Sequence, residues 1–250
     1  MKRNRTLEDA WELVPFLRSL SPAARKKLMP YAELKHCPSG QRLWLEGQQA
    51  NAFCFISKGR AKLVKARENG QETIIEIASS GELACANAVC SFIPYCCSAE
   101  PMEDGAVVIM VPRPDLLAVV ESENDAARAF VREVIGRSIH MCQRVDELSS
   151  GRVAQRISML LLKLADRVGH TKDGTRIEIP VPLSRQDIAD LSGTTMESAI
   201  RTMSSLRKAK IVETLPGGFA VLNRNWLVAI AEGQSESTGG GITGRSRREA

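Results

Sequence analysis

The sequence predicts an α+β fold with an N-terminal β-roll of the jelly-roll type, a long dimerisation helix and a C-terminal winged helix-turn-helix. Short β-prone runs separated by turn residues fill residues 32–112. A heptad pattern of apolar residues follows over 127–148. A helix, a glycine turn, a second helix and a hairpin then occupy 183–222. The predicted parts are the β-roll with N-terminal helices at 1–114, the dimerisation helix at 115–149, the winged helix-turn-helix at 150–231 and a disordered tail at 232–250.

Composition limits the class of protein. The 250 residues suit two modest domains, and an apolar content of 44% is enough for real cores. A net charge of +5 permits nucleic-acid binding without demanding it. The chain shows no apolar run of membrane-spanning length and no signal-peptide core near its N-terminus. We therefore expect a cytoplasmic protein with no membrane partner, in which the seven cysteines are reduced.

The N-terminal third combines helices with β-structure. An amphipathic helix is predicted over Thr6 to Leu20, and Ser21-Pro22 begins a second one, Ala23 to Tyr31. The β-prone runs that follow are separated by five turn signals. These are residues 38–40, 46–47, 57–59, 69–70 and 80–81.

The long helix is predicted from Asp115 to about Ser149. Its apolar residues recur in alternating steps of four and three. The positions of this seam are Ala127, Val131, Val134, Ser138, Met141, Val145 and Leu148, all apolar except Ser138. The same spacing fits a parallel dimer helix or a helix buried against its own β-domain. A hinge is expected at residues 149–151, where two serines precede a glycine.

Two short helices around Gly193 are the most informative stretch. Ser184 is the predicted N-cap of the first helix, with Asp187 in its first turn. Gly193 permits the sharp turn, and Thr194 or Thr195 caps the second helix.

The second helix has one apolar and one polar face. Its apolar residues Ala199, Met203 and Leu206 predict a buried side. The opposite side is polar and basic: Glu197, Ser198, Arg201, Thr202, Arg207, Lys208 and Lys210. A helix of this kind enters the major groove of DNA, and a hairpin around residues 216–218 forms a wing against phosphate. The alternative is an ordinary pair of packed helices.

Residues 184–189, SRQDIA, resemble the first helix of the helix-turn-helix in the Crp/Fnr family of bacterial transcription regulators. Gly40, Gly47, Gly59 and residues 81–84 likewise resemble that family's β-roll, which is related to cyclic-nucleotide-binding domains. The resemblance implies a non-enzymatic homodimer that binds a palindromic operator in double-stranded DNA. It also implies RNA polymerase as a further partner.

The resemblance assigns roles to side chains of the second helix and its surroundings. Glu197 and Arg201 match positions that read base edges: the carboxylate would accept from cytosine and the guanidinium would donate to guanine. Phosphate contacts are implied for Ser184, Thr195 and Ser198. Arg185 and Met196 complete the candidate set. Met196 stands where the cyclic-AMP branch has a base-reading arginine, and Ile200 where the family often has Gly or Ser.

Four cysteines lie close together in the β-roll. Cys85, Cys90, Cys96 and Cys97 fall within thirteen residues, which favours a metal or redox role. An iron–sulfur cluster held by all four is the leading hypothesis, and a four-thiolate zinc site is an alternative. Their spacing matches no standard ferredoxin motif, and some of them could be small core residues instead. The other cysteines, Cys37, Cys54 and Cys142, are each predicted to pack in a core.

The same segment bears on whether the protein binds a nucleotide or heme. Glu82 matches the family carboxylate that binds ribose, but Cys97 replaces the arginine that pairs with the cyclic phosphate. Because residues 68–112 contain no Lys or Arg, a buried phosphate would lack a local counter-charge, so cyclic AMP is not expected. A residue of the dimer helix could compensate. Heme is a third option through Cys85, although Asn87 stands where heme-binding members have histidine.

Two function classes outside transcription regulation remain as alternatives. One is a redox metalloprotein that does not bind DNA, and the other is a protein–protein interaction module. The sequence has no H-E-x-x-H motif and no phosphate-binding loop, and its three histidines are isolated. We therefore expect a DNA-binding regulator rather than an enzyme.

Overall fold

The computed structural model describes residues 6–66, 72–90, 92–149, 151–172 and 174–234. The chain divides into two compact units, residues 1–141 and 142–250. The predicted turn at 69–70, part of the hinge and nearly all of the tail at 232–250 lie outside the described residues. Within the described ranges, no helix is both long and apolar enough to cross a membrane.

Three short helices begin the first unit: α1 (Leu7–Trp11), α2 (Pro15–Arg18) and α3 (Pro22–Leu28). The single helix predicted over Thr6 to Leu20 is therefore wrong. Pro15 has no N–H for a continuing helix and instead occupies the first turn of α2. Trp11 stays buried and donates its indole N–H to the carbonyl of Leu17 at 2.9 Å, which packs α1 against α2.

In its described residues, the β-roll consists of two three-stranded antiparallel sheets. Its strands are β1 (Glu33–Cys37), β2 (Ala52–Lys58), β3 (Arg60–Ala66), β4 (Glu72–Ser79), β5 (Ser98–Pro101) and β6 (Ala106–Pro112). One sheet has the order β1-β6-β2 and the other β4-β3-β5. Isolated bridges join Trp44 to Ala99 and Phe55 to Leu83, so one core fills the roll. The predicted turns at Gly47 and Gly59 are confirmed, with φ of 81° and 83°.

The helical stretch after the β-roll consists of two helices, α4 (Arg113–Ser122) and α5 (Asn124–Ser149). The prediction of one unbroken helix from Asp115 was wrong. Glu123 is extended between them, with φ −128° and ψ 115°. Its carboxylate accepts from the hydroxyl of Ser21 at 2.7 Å, which fixes the break against the N-terminal helices.

Helix α5 shows how the heptad pattern divides between two surfaces. Val134 packs against the β-roll core, while Val131 is 53% exposed. The exposed apolar side chains of α5, hereafter the α5 stripe, are Val131, Ile135, Ile139, Met141, Val145 and Leu148. Ile135 and Ile139 were not in the predicted seam. Cys142 is exposed on the same helix, so its predicted place in a core was wrong, whereas Cys37 and Cys54 are buried as predicted.

The described part of the second unit combines helices with a four-stranded sheet. Its elements are α6 (Val153–Val168), β7 (His170–Lys172), β8 (Arg176–Ile179), α7 (Arg185–Leu191), α8 (Met196–Lys208), β9 (Val212–Leu215), β10 (Gly218–Val221) and α9 (Arg224–Ala231). The sheet order is β7-β8-β10-β9. Ile157 and Leu161 of α6 are fully buried, as is Leu227 of α9.

Candidate nucleic-acid interface and cysteine turn

The turn between α7 and α8 is built by caps and one glycine. Ser184 accepts from the N–H of Asp187 at 3.1 Å, and the Asp187 carboxylate accepts from the N–H of Ser184 at 2.7 Å. Gly193 has φ +57°, in the left-handed region that favours glycine. Thr195 caps α8 by accepting from the N–H of Ser198 at 3.3 Å. The predicted helix-turn-helix is confirmed, with Thr195 rather than Thr194 as the cap.

Helix α8 presents the face that the sequence predicted. Ala199, Met203 and Leu206 are buried. Outward from them, Glu197 and Arg201 are exposed one turn apart. The guanidinium of Arg201 lies 3.4 Å from the hydroxyl of Ser198, so it is held along the helix surface.

Two apolar side chains share this outer face. Met196 is 49% exposed and Ile200 is 46% exposed. Arg207 and Lys208 are exposed in the last turn of α8. This face of α8 therefore presents a carboxylate, a guanidinium and apolar groups, which are the groups that contact base edges. Positive charge is concentrated at the C-terminal end of the helix.

The predicted wing is the hairpin of β9 and β10. Phe219 pairs with Thr214 across it. Arg185, a predicted DNA contact, donates to the Thr214 hydroxyl at 2.9 Å, and its guanidinium lies 5.9 Å from the centre of the Phe219 ring. Burial and the nearby Arg207 lower the pKa of Arg185. Arg185 thus fastens α7 to the wing, and its contact with DNA stays a prediction.

A residue that sequence reasoning missed, Arg156, also stabilises the turn between α7 and α8. Arg156 of α6 donates to the carbonyl of Ser192 at 2.8 Å and to that of Gly193 at 3.2 Å. The arginine lies some 36 residues before the turn, so nothing in local spacing indicates the contact.

The cysteine turn spans residues 81–97, between β4 and β5, and contains a short 3-10 helix, Asn87–Val89. Three of its four cysteines lie close together. Sγ of Cys96 lies 3.9 Å from Sγ of Cys97, and the side chain of Cys85 is near enough to interact with that of Cys96. Cys85 and Cys97 are buried, whereas Cys96 is exposed. Cys90 is half-buried after the 3-10 helix.

The hydrogen bonds give the three thiols different acidities. Bonds from Cys85 and then Cys97 hold the pKa of Cys96 well below its usual range. The bond to Cys96 and then burial raise the pKa of Cys85, and the same two causes raise the pKa of Cys97. Within the trio, negative charge is therefore favoured on the exposed sulfur of Cys96 over the buried sulfurs of Cys85 and Cys97.

Helix α5 contacts this turn through two side chains. Arg137 donates to the carbonyl oxygen of Leu83 and pairs with Glu76 at 2.7 Å. Glu133 accepts from the N–H of Leu83 at 3.4 Å. Leu83, two residues before Cys85, is thus clamped to α5 on both sides of its backbone.

Comparison with known proteins matches both halves of the chain. The Crp-like helix-turn-helix domain family matches residues 155–230, and the cyclic nucleotide-binding domain family matches residues 34–123. Together these two matches span most of the chain. The transcriptional activatory protein AadR of Rhodopseudomonas palustris is 26% identical over 213 residues, covering 85% of this chain and 87% of that protein.

Two further relatives extend the match. The cyclic AMP receptor protein of Thermus thermophilus is 24% identical over 219 residues, covering 88% of this chain and 97% of that protein. The structure of FixK2 from Bradyrhizobium japonicum has a TM-score of 0.68 at 22% identity and covers 79% of this chain and 96% of that one. The chain belongs to the Crp/Fnr family. It is a DNA-binding transcription regulator, and the predicted α+β fold is confirmed.

The segment that resembles the family's cyclic-nucleotide site makes its polar contacts within the chain. The carboxylate of Glu82 accepts from the N–H of Ser79 at 2.8 Å, within its own turn. Cys97, at the position of the phosphate-binding arginine, is buried and its carbonyl accepts from the indole of Trp44 at 2.8 Å. Arg137 supplies a cation from α5, but it is bonded to Leu83 and Glu76.

The predicted iron–sulfur ligands fit a cluster poorly in this arrangement. Within the part of the chain that the structure describes, no group of three or more His, Cys, Asp or Glu side chains is placed to hold a metal ion. The trio is linked through Cys96, and Cys90 has a different environment. The thiolates that a cluster needs are disfavoured at Cys85 and Cys97, whose pKa values are raised. The cluster stays a prediction.

Proposed function

We propose that this regulator acts as a homodimer that reads a palindromic operator with α8 and responds to a signal at the cysteine turn. The observation that carries the proposal is that Glu197 and Arg201 are both exposed on one face of α8, while the opposite face of the helix is buried. Such a helix can enter the major groove without exposing its core.

Base reading is divided between the two charged side chains. Arg201 can donate two hydrogen bonds to O6 and N7 of guanine, and Glu197 can accept from the amino group of cytosine. Ser184 and Thr195 stand at the N-termini of α7 and α8, where hydroxyls and free N–H groups suit phosphate. Ser198 and Met196 lie on the first turn of α8 and complete this surface.

The α5 stripe supports the homodimer. Six large apolar side chains are exposed along one helix, which is unfavourable in a lone chain in water. A parallel copy of α5 would bury them in a coiled coil. The resulting two-fold axis would place two copies of α8 at half-sites about one helical turn apart, which explains why the operator is expected to be palindromic.

The signal reaches DNA only if it acts differently on two states of the dimer. The clamp of Leu83 by Arg137 and Glu133 supports the cysteine turn as the origin, because it joins that turn to the helix that carries the stripe. RNA polymerase is proposed as the partner that a DNA-bound dimer recruits or excludes.

Iron–sulfur, zinc, heme and cyclic AMP are distinguished by one set of measurements. Protein prepared without oxygen is examined by visible absorption and by iron, sulfide and zinc analysis, and is titrated with cyclic AMP. Stoichiometric iron and sulfide, with absorption that is lost in Cys90→Ser, would support the cluster. Because Cys97 stands where the family resemblance places the phosphate-binding arginine, we expect no cyclic-AMP binding. Protein that lacks iron, sulfide and zinc and still responds to a signal would exclude the cluster, zinc and heme together.

Operator binding tests the DNA-binding part of the proposal. The operator is first selected from random duplexes, and affinity is then measured over a salt series. We expect affinity to fall steeply with salt, as phosphate contacts require. Arg201→Ala should lower the preference for the operator over random duplex by about 1–3 kcal/mol. The matched control Lys208→Ala should weaken both duplexes together. Equal binding of all duplexes by the unaltered protein would overturn the proposal.

A further inference from the structure

We propose that Cys96 and Cys85 form a peroxide-reactive pair, in which a hydroperoxide oxidises Cys96 and Cys85 then closes a disulfide with it. This inference deepens the proposed function, since it names the chemical class of signal and the residues that receive it. It requires no metal. It rests on a cluster of three thiols, in which the exposed sulfur of Cys96 lies 3.9 Å from that of Cys97 and interacts with that of Cys85, and both partners are buried.

Exposure and hydrogen bonding select the sulfur that reacts first. A hydroperoxide can reach Cys96, which is exposed, whereas Cys85 and Cys97 are 4% and 1% exposed. The Cys97 sulfur lies 3.9 Å from the Cys96 sulfur, so a buried thiol stands beside the exposed one and can hydrogen-bond to it. Lys65 donates to the Cys96 carbonyl at 3.4 Å and pairs with Glu46 at 3.2 Å, which holds this end of the turn against β3.

Backbone geometry selects the partner. Cys96 and Cys97 are adjacent through a trans peptide, so their Cα atoms are about 3.8 Å apart. Disulfides usually need Cα atoms about 4.4–6.8 Å apart, so a bridge between these neighbours would be strained. Cys85 belongs to a separate segment that already brings its thiol to Cys96. We therefore assign Cys85 as the resolving cysteine and Cys97 as a hydrogen-bond donor that positions Cys96.

The reaction has two balanced steps. The Cys96 thiolate attacks one peroxide oxygen, the O–O bond breaks, and the other oxygen leaves and takes a proton from water, which gives a sulfenic acid and an alcohol, or water from hydrogen peroxide. The Cys85 sulfur then attacks the Cys96 sulfur. The S–O bond breaks, and the proton of Cys85 leaves with the oxygen as water. Two thiols are oxidised by two electrons and one hydroperoxide is reduced.

The product would act on α5 through Leu83. Forming a covalent bond requires the Cys85 sulfur to move from hydrogen-bonding distance to about 2.05 Å from Sγ of Cys96. Leu83, two residues earlier, is bonded to Arg137 and Glu133 of α5. The shift of this segment would therefore favour one arrangement of the helix over another, which is the differential effect that a switch needs.

The first test is chemical and uses full-length protein without DNA. Reduced protein is treated with hydrogen peroxide, thiols are counted over time, and disulfides are located by peptide mass mapping. We expect the loss of two thiols per chain and a Cys85–Cys96 bridge. Cys96→Ser should slow the loss at least about tenfold. Cys85→Ser should stop at a sulfenic acid on Cys96 that dimedone traps. The matched control Cys90→Ser, in the same turn, should react like the unaltered protein.

Mass mapping on the unaltered protein locates the bridge without relying on the folding of any variant. A bridge that includes Cys90, or an unaltered rate in folded Cys96→Ser, would overturn it. The second test compares operator affinity of reduced and oxidised protein, where we expect a change of about fivefold or more that Cys85→Ser abolishes. An unchanged affinity after the bridge has formed would overturn the switch. Failure of reduced protein to prefer any operator would instead overturn the proposed function and leave the thiol chemistry intact.

Discussion

The guanidinium of Arg156 donates to the carbonyl oxygen of Ser192 at 2.8 Å, so α6 stabilises the turn that sets the orientation of α8. The same side chain also reaches the carbonyls of Gly193 and Gly151. A planar guanidinium can serve several acceptors at once, whereas an ammonium serves them as a point charge. The angle between α7 and α8 thus depends on a side chain outside both helices.

Replacing Arg156 tests this role. Arg156→Ala should lower the free energy of unfolding by about 1–2 kcal/mol, because partly buried carbonyls lose a charged donor. Operator affinity should fall more than affinity for random duplex, since the turn no longer fixes α8. Arg156→Lys keeps the charge and should restore less than half of the loss. Thermal unfolding and duplex titration measure both effects, and full rescue by lysine would show that charge alone suffices.

Gly218 lies where β10 passes close to β8. A Cβ at this position would stand 2.1 Å from the carbonyl oxygen of Ile179, which is backbone and cannot rotate away. Gly218→Ala should therefore destabilise the second unit by on the order of 1–3 kcal/mol. The control is Gly136→Ala in α5, where a Cβ meets nothing within 4 Å. That control should be neutral or stabilise by about 0.5–1 kcal/mol, and a similar loss in both variants would contradict the prediction.

Ile200 should read a thymine methyl group. It is 46% exposed between Glu197 and Arg201 on the outer face of α8, and apolar side chains there contact the C5 methyl of thymine. Replacing each operator thymine in turn with uracil removes only that methyl. One substitution should weaken the unaltered protein by about 0.8 kcal/mol, or roughly fourfold. Ile200→Ser should lose this dependence, whereas Lys208→Ala should keep it. Persistence of the uracil effect in Ile200→Ser would rule out this contact.

The sequence predicted the features that depend on local spacing. Ser184 and Thr195 as caps, Gly193 as the turn and the buried face from Ala199 to Leu206 all follow from patterns within a few residues. The breaks at Pro15 and Glu123 were missed because an amphipathic pattern continues across them. In the second case the break depends on Ser21, 102 residues away.

Tertiary contacts account for what the sequence could not predict at the candidate sites. Spacing grouped four cysteines, but the fold joins only Cys85, Cys96 and Cys97, because strand pairing decides which ends of the turn meet. The heptad pattern included Val134, which packs on the β-roll, and missed Ile135 and Ile139, which are exposed. Helix α5 has one set of apolar residues that packs on the β-roll and another that is exposed. The two sets overlap in spacing, so periodicity alone cannot tell which residue belongs to which set.

A charge in the α5 stripe should prevent dimer formation. Val145 is 64% exposed, and Val145→Glu would bury a carboxylate twice at a two-fold interface. We expect a monomer by light scattering and operator affinity at least about a hundredfold lower, because the half-sites are then bound singly. Gln143→Glu adds the same group on an exposed side of α5 away from the stripe and should remain dimeric. A dimeric Val145→Glu would place the interface elsewhere.

Arg137 should carry the signal from the cysteine turn to α5. Arg137→Gln removes its pairing with Glu76 and weakens the hydrogen bond to Leu83, which we expect to lower the free energy of unfolding by about 1–2 kcal/mol. Peroxide should still form the bridge between Cys85 and Cys96, because Arg137 donates to neither sulfur. The difference in operator affinity between reduced and oxidised protein should shrink towards onefold.

The control for Arg137 is Arg132→Gln, which removes an exposed guanidinium from the same helix and should keep the full difference. Bridge formation is followed by mass mapping, and operator affinity by titration of the same samples. Because the bridge and the operator affinity are measured separately, a variant that loses the response to peroxide is distinguished from one that no longer forms the bridge. If Arg137→Gln forms the bridge and retains the full change in affinity, the signal reaches α5 by another contact, of which Glu133 with the N–H of Leu83 is the first to test.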